Sequence, residues 1–260
     1  MSYEVAVSEA AAGAFQSAVR VLAQTRPDGL VEHGPGGALL AFTRSQIPAL
    51  NGVVSVAPTP DTTEIGLLCE KAEGQAGGLP WSIRLRGEPD AELIALAASH
   101  GLGTITRQPF MLRRLTSGPA TTESGRTAEQ SVRLLREGEY ETFATVLGAA
   151  FGAPPAIITS LYTPAVLGRP FVRAYLGETD GVPVGAGLAI HTDQHVGLAN
   201  IGTLPEHRRR GLGRVIIDTI LADARDAGAH TAYLHSSDDA VPLFERAGFR
   251  TEESWTAFTA

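Results

Sequence analysis

Apolar residues recur at helical spacing from Tyr140 to Phe151 in "SVRLLREGEYETFATVLGAAFG", which predicts a helix there. "PFVRAYLGETDGVPVGAGLAIH" predicts a hairpin instead: a strand over 171–177, a turn at Asp180-Gly181 and a strand over 182–191. "HVGLANIGTL" predicts a third strand at about 196–203. Beyond it, "GRVIIDTILADARDAGA" puts apolar residues at 216, 217, 220, 221 and 224, one face of a helix over 211–227 that Gly228 stops. "TAYLHSS" predicts a fourth strand. "DDAVPLFERAGF" predicts a short helix capped by Asp238 or Asp239, with Pro242 in its first turn, and "TEESWTAFT" a closing strand. Helices alternating with strands in this order predict an α/β domain.

The first half carries a fainter version of the pattern. "WSIRLRG", "DAELIALAASHGLG" and "TITRQPFMLRRL" predict strand, helix and strand. Leu96, Gly101 and Leu102 repeat the spacing of Leu243, Gly248 and Phe249, which points to an internal duplication. Residues 116–128, "TSGPATTESGRTA", are polar and aperiodic. The expected organisation is therefore a domain over 1–117, a linker over 118–128 and a domain over 129–260.

Composition narrows the function. A net charge of -7 argues against general nucleic-acid affinity, which needs a broad basic face. No run of 18 apolar residues exists, so no membrane partner is expected. Cys69 is the single cysteine, which excludes an intrachain disulfide and a zinc site of several thiolates. No metal is expected. Cys69 lies in "IGLLCEKA", an amphipathic helix pattern, and is expected to be buried and inert. Trp81 and Trp255, in strands, are expected in the core. The opening "MSYEVAVSEAAAGAFQ" lacks a basic stretch followed by an apolar core, so a cytoplasmic location is expected.

One place runs against the acidic balance: "LPEHRRRGLGR", residues 204–214. Gly211-Leu212-Gly213 follows a predicted strand and opens a predicted helix. A dinucleotide fingerprint needs Gly or Ala where Ile216 stands, and a P-loop needs a lysine that is absent. Arg/Gln-x-x-Gly-x-Gly/Ala does fit, through Arg208, Gly211 and Gly213. The first amides of a helix lack acceptors, and the helix dipole adds roughly half a positive charge there. Glycines let backbone approach a bulky anion. This predicts a pyrophosphate held by the backbone of 209–214, with Arg208, Arg209, Arg210 and Arg214 as countercharge.

These residues, in this strand order, make 130–258 resemble the GNAT superfamily N-acetyltransferases. "IGTLPEHRRRGLGRVIIDTILADARDAG" is similar to the family's acyl-CoA segment, and "LHSSDDAVPLFERAGF" to the segment that follows it. "PWSIRLRG…LAASHGLG…PFML" resembles the degenerate N-terminal domain of tandem members. The resemblance implies a GNAT acyl-CoA N-acyltransferase fold, α/β, with a mixed central sheet flanked by helices and a second, smaller GNAT-like N-terminal domain. It implies acetyl-CoA as co-substrate. Ile201, Gly202 and Thr203 would pair with the pantetheine arm; Arg208, Arg209, Arg210, Gly211, Leu212, Gly213 and Arg214 would wrap the pyrophosphate; and strands 182–191 and 196–203 would splay to admit the thioester. Where members often have Tyr this chain has Phe244, and where they often have Asn it has Ser237. The expected proton-handling residues are His191, Ser237 and Tyr233, with Ser237 also a cofactor contact; His195 beside His191 as base, and a water or unaided departure for the thiolate, stay open. Phe151 is expected in the core. The expected partner is a small-molecule amine, with a homodimer as one assembly. A protein or peptide amine, and a non-catalytic acyl-CoA-binding module, stay open as alternatives.

Overall fold

The computed structural model describes residues 3–115 and 129–260, and the expected linker at 118–128 lies outside them. The backbone divides into two units. One comprises residues up to Met111 with 235–241 and 251–260; the other comprises 112–234 with 242–250.

The first unit contains α1 (Tyr3–Gln24), β1 (Leu30–His33), β2 (Leu39–Phe42), β3 (Asn51–Ser55), α2 (Thr62–Ala76), β4 (Ser82–Arg86) and α3 (Ala91–Ser99). It also takes β5 (Thr104–Arg114) as far as Met111, and β11 (Arg250–Thr259) from Thr251. Its strands run in the order β1-β2-β3-β4-β11-β5. β3 and β4 are parallel and joined through α2, whereas β11 lies antiparallel on β4 with Trp255 opposite Arg86. α2 starts on Asp61, whose carboxylate accepts from the Glu64 amide at 3.1 Å, and ends on Gly77 in the left-handed region. Cys69 on α2 is buried among Phe42, Val53, Ile65, Ile83 and Leu85. Burial pushes its thiol up to about 12, so it stays protonated and inert. Trp255 and Trp81 are buried as expected. α1 is an element that the sequence pattern leaves unmarked; it buries Ala11, Ala12, Ala18, Val19 and Leu22.

The second unit contains β6 (Gln130–Leu134), α4 (Tyr140–Phe151), α5 (Pro155–Thr159), α6 (Pro164–Leu167), β7 (Val172–Thr179), β8 (Val182–Thr192) and β9 (His195–Thr203). α7 (Leu212–Asp226), β10 (Thr231–His235) as far as Leu234 and α8 (Val241–Arg246) from Pro242 complete it. The strand order is β10-β9-β8-β7-β6, with β10 parallel to β9 and the rest antiparallel. α7 buries Leu212, Val215, Ile216, Ile217, Ile220, Leu221 and Ala224. Glycines set how close it comes: a Cβ on Gly185 or Gly187 would stand 3.0 or 2.6 Å from Ile216 carbons. Arg133 ties β6 to β7 and to the start of α4 through Glu178 and Glu139, at 2.8 and 2.7 Å.

Candidate anion-binding and acyl-transfer site

The feature foreseen at 204–214 is a loop joining β9 to α7. The Leu204 amide donates to Val184 at 2.9 Å, and residues Pro205–His207 form one 3-10 turn. Arg209 then takes a φ of 63° and Gly211 a φ of 88°, both left-handed. Left-handed residues interleaved with ordinary ones turn successive amides toward one side, which makes an anion-binding nest. Among the described residues, the N–H groups of Arg209, Arg210, Gly211, Leu212 and Gly213 have no acceptor; bonding resumes with Arg214 and Val215, both donating to Gly211 O at 2.9 and 3.2 Å. No side chain caps α7. A Cβ on Gly213 would meet nothing nearer than Leu243 Cδ2 at 3.6 Å, so internal packing leaves that approach open.

The arginines divide their work. Arg208 donates from Nε to Thr203 O at 3.1 Å and from Nη2 to Ala150 O at 2.7 Å, fastening the end of β9 to α4. Arg214 is held by Asp218 at 2.7 Å and by the Arg246 carbonyl. Arg209 and Arg210 are exposed beside the nest. Gln130 donates to Arg210 O at 2.9 Å and pins the loop from below.

β9 is shaped upstream of the loop. Its register with β8 shifts between Ala186 and Leu188, where Gly187 stands against both Asn200 and Ile201. This is a bulge, and Asn200 adopts a φ of 56° within it. Asn200 Nδ2 donates to the Tyr162 hydroxyl oxygen at 2.6 Å. Tyr162 is buried, edge-on to Phe143 with ring centroids 6.0 Å apart, and burial pushes its hydroxyl up to about 12. The sequence gives Tyr162 no visible role, because no local pattern reveals a partner 38 positions away.

Two expectations are corrected. β8 and β9 do not splay: they pair from Gly185↔Thr203 to Thr192↔His195. β10 instead pairs with β9 only at Thr231↔His195, Ala232↔Val196 and Tyr233↔Gly197, so the β10 side of Leu198–Thr203 is left unpaired by it. Phe151 is not core: it is 57% exposed, and its ring reaches 3.0 Å from where a Gly202 Cβ would sit.

His191 lies near the turn end of the β8–β9 hairpin, opposite Val196. At about 3.3 Å per residue, Val196 is roughly 23 Å along β9 from Thr203. Alternation puts His191 on the α7 face with Gly185 and Gly187, where burial and then Arg173 lower its pKa, against Asp223. Tyr233 lies on the other face, its hydroxyl 2.7 Å from a would-be Gly197 Cβ and bonded to Thr192. Burial raises its pKa, so the phenol keeps its proton. Ser237 belongs to the first unit and is exposed. It opens the 3-10 turn Asp238–Ala240 with no side-chain cap bond, one residue ahead of the expected Asp caps. Phe244 is buried edge-on to Phe249, centroids 5.9 Å apart.

Among the described residues no group of three or more His, Cys, Asp or Glu could hold a metal, and no helix is long and apolar enough to cross a membrane. Residues 141–249 match the profile of the Acetyltransferase (GNAT) family. The Trypanosoma brucei brucei glucosamine 6-phosphate N-acetyltransferase is 27% identical over 132 residues, 47% of this chain and 90% of that protein. A GCN5-related N-acetyltransferase from Kribbella flavida superposes with a TM-score of 0.70 at 21% identity, over 97% of this chain and 95% of that one. A tandem GNAT protein from the clavulanic acid biosynthesis pathway gives a TM-score of 0.57 at 14% identity, over 90% and 84%.

Proposed function

We infer that this chain, a member of the GNAT acetyltransferase family, transfers the acetyl group of acetyl-CoA to the primary amine of a small molecule. The carrying observation is the run of acceptor-less amides at 209–213, opening a helix whose first glycine is left-handed. That nest suits a pyrophosphate. Arg209 and Arg210 add countercharge, while Arg208 acts by fixing the loop. The unpaired side of Ile201, Gly202 and Thr203 suits the amide-bearing pantetheine arm, bound as an added strand.

The amine attacks the thioester carbonyl from its neutral form, the carbon–sulfur bond breaks, the amine nitrogen gives up a proton to solvent, and the departing thiolate takes one. Backbone N–H groups of the bulged strand polarise the carbonyl. Of the expected proton-handling residues Tyr233 is the buried phenol held in its protonated form, standing opposite Gly197 at the last β9–β10 pair, and we assign the thiolate's proton to it. Tyr233→Phe is expected to lower kcat about 10²-fold, with His191→Gln and Ser237→Ala changing it less than about threefold. The Trypanosoma relative's name specifies an amino-sugar phosphate, which supports a small amine over a peptide. A cytoplasmic setting suits the lone thiol of Cys69.

In the first unit the corresponding helix start is occupied: Asp61 accepts from Glu64 N, and Glu64 itself accepts from Gly36 N at 2.7 Å and Ala38 N at 3.2 Å. We propose a single acyl-CoA per chain. One observation favours a binder without turnover, namely the buried Phe244 where members often carry Tyr. Thiol release from acetyl-CoA across a panel of amines decides: turnover with any small amine supports transfer, and binding without release on all of them leaves only the binder.

A further inference from the structure

The first unit buries a guanidinium that, among the described residues, no carboxylate compensates. Arg84 on β4 is 7% exposed and stands 4.5 Å over the Phe15 ring. Its one side-chain hydrogen bond among the described residues runs from Nη2 to Gln108 Oε1 at 3.2 Å. Arg86, two positions on, shows what compensation looks like: its Nε meets both oxygens of Glu253 at 2.8 Å. Glu253 is further occupied by Trp255 Nε1 at 2.8 Å. Burial pulls Arg84 down to about 10, and no acid among the described residues offsets it.

His235 borders the same ring. Its centroid lies 4.6 Å from Phe15, 4.8 Å from Phe110 and 4.9 Å from Trp255. Its Nε2 is buried without a hydrogen-bond partner among the described residues. Burial first, then Arg84, hold the imidazole neutral. Arg84 has one neutral acceptor and a ring face but no carboxylate partner among the described residues, and His235 Nε2 has no hydrogen-bond partner there; burying such groups is costly, and both stand at one spot, among aromatic rings.

We propose that Arg84 and His235 form the polar end of a small-molecule site in the first unit, walled by Phe15, Phe110 and Trp255, which takes a carboxylate carrying a flat apolar group. The planar guanidinium fork matches a planar carboxylate. Neutral His235 donates from Nε2 to the same anion. The rings accommodate the flat group by stacking or edge contact. A tetrahedral phosphate would want more donors than one guanidinium and one imidazole supply. The site stands independently of acetyl transfer.

Benzoate, benzamide and inorganic phosphate serve as probes in titration calorimetry on the full chain. Trp255 fluorescence in a Trp81→Phe background reports on the site directly. Benzoate is expected to bind saturably with one site per chain, benzamide at least about tenfold more weakly, and phosphate not at all. Arg84→Met should abolish benzoate binding without lowering Tm, because it removes an uncompensated buried charge. His235→Phe should weaken binding severalfold. Absence of saturable benzoate binding, equal binding of benzamide or phosphate, or a folded Arg84→Met protein that binds benzoate like the wild type overturns the proposal. So does an Arg84→Met protein that fails to fold, since that outcome makes the guanidinium part of the core.

Discussion

Residue by residue, the loop shows what a sequence reveals and what it hides. Gly211 and Gly213 were legible because glycine before a helix answers to backbone geometry, and Gly211 does sit at a φ of 88°. Arg208 was legible as part of the motif, whereas its bonding was not. Its guanidinium serves two carbonyls, those of Thr203 and Ala150. Side-chain direction depends on the fold around it, which spacing does not encode. Phe151 misled for the same reason, since an apolar residue at the end of an apolar run carries no mark of exposure. Asn200 and Tyr162 form a positioning pair that holds the bulge. Asn200→Ala is expected to cost about 1–2 kcal/mol in urea unfolding, leaving the buried Tyr162 hydroxyl short of its donor. It is also expected to lower kcat more than it alters acetyl-CoA affinity. Equal losses in both would place Asn200 in general packing.

At the scale of elements, α4 and the helices and strands after 171 were readable because their periods are clean, and α4 falls on the residues expected for it, whereas α5 and α6, of five and four residues, are too short to show a period. α1 was missed because alanine-rich helices mark their buried face weakly, and β1, β2 and β3 because strands of four or five residues give few repeats. The glycines under α7 carry information only once the helix is laid on the sheet. Gly187→Val puts bulk 2.6 Å from Ile216 and is expected to destabilise by about 1–3 kcal/mol in denaturant unfolding. The β6–α4 link is acid-sensitive. The Arg133 guanidinium, with the Arg136 amide, holds Glu139 down to about 2. A depressed carboxylate contributes stability above its unfolded value of about 4.3, and loses it as pH falls toward the folded value. The Tm of the wild type should therefore fall more steeply between about pH 4.5 and 2.5 than that of Glu139→Gln; parallel curves would show that the pair adds nothing.

For the molecule as a whole, the class of fold was legible, and so was the glycine- and arginine-rich loop that opens α7, whereas the make-up of the units was not. β11 follows the second unit's helices in sequence yet counts with the first unit, alongside β4. Pairing across 167 positions, as between Arg86 and Glu253, leaves no local trace. The central claim is that one nest, at 209–213, captures the diphosphate of acetyl-CoA, and titration calorimetry on the full chain tests it most directly. The account predicts one site per chain for the wild type. For Gly211→Val it predicts affinity at least about tenfold lower, with the far-ultraviolet dichroism retained, because a β-branched residue resists the left-handed φ that aims the amides. Two sites per chain, no binding by the wild type, or full affinity in a folded Gly211→Val protein would contradict it.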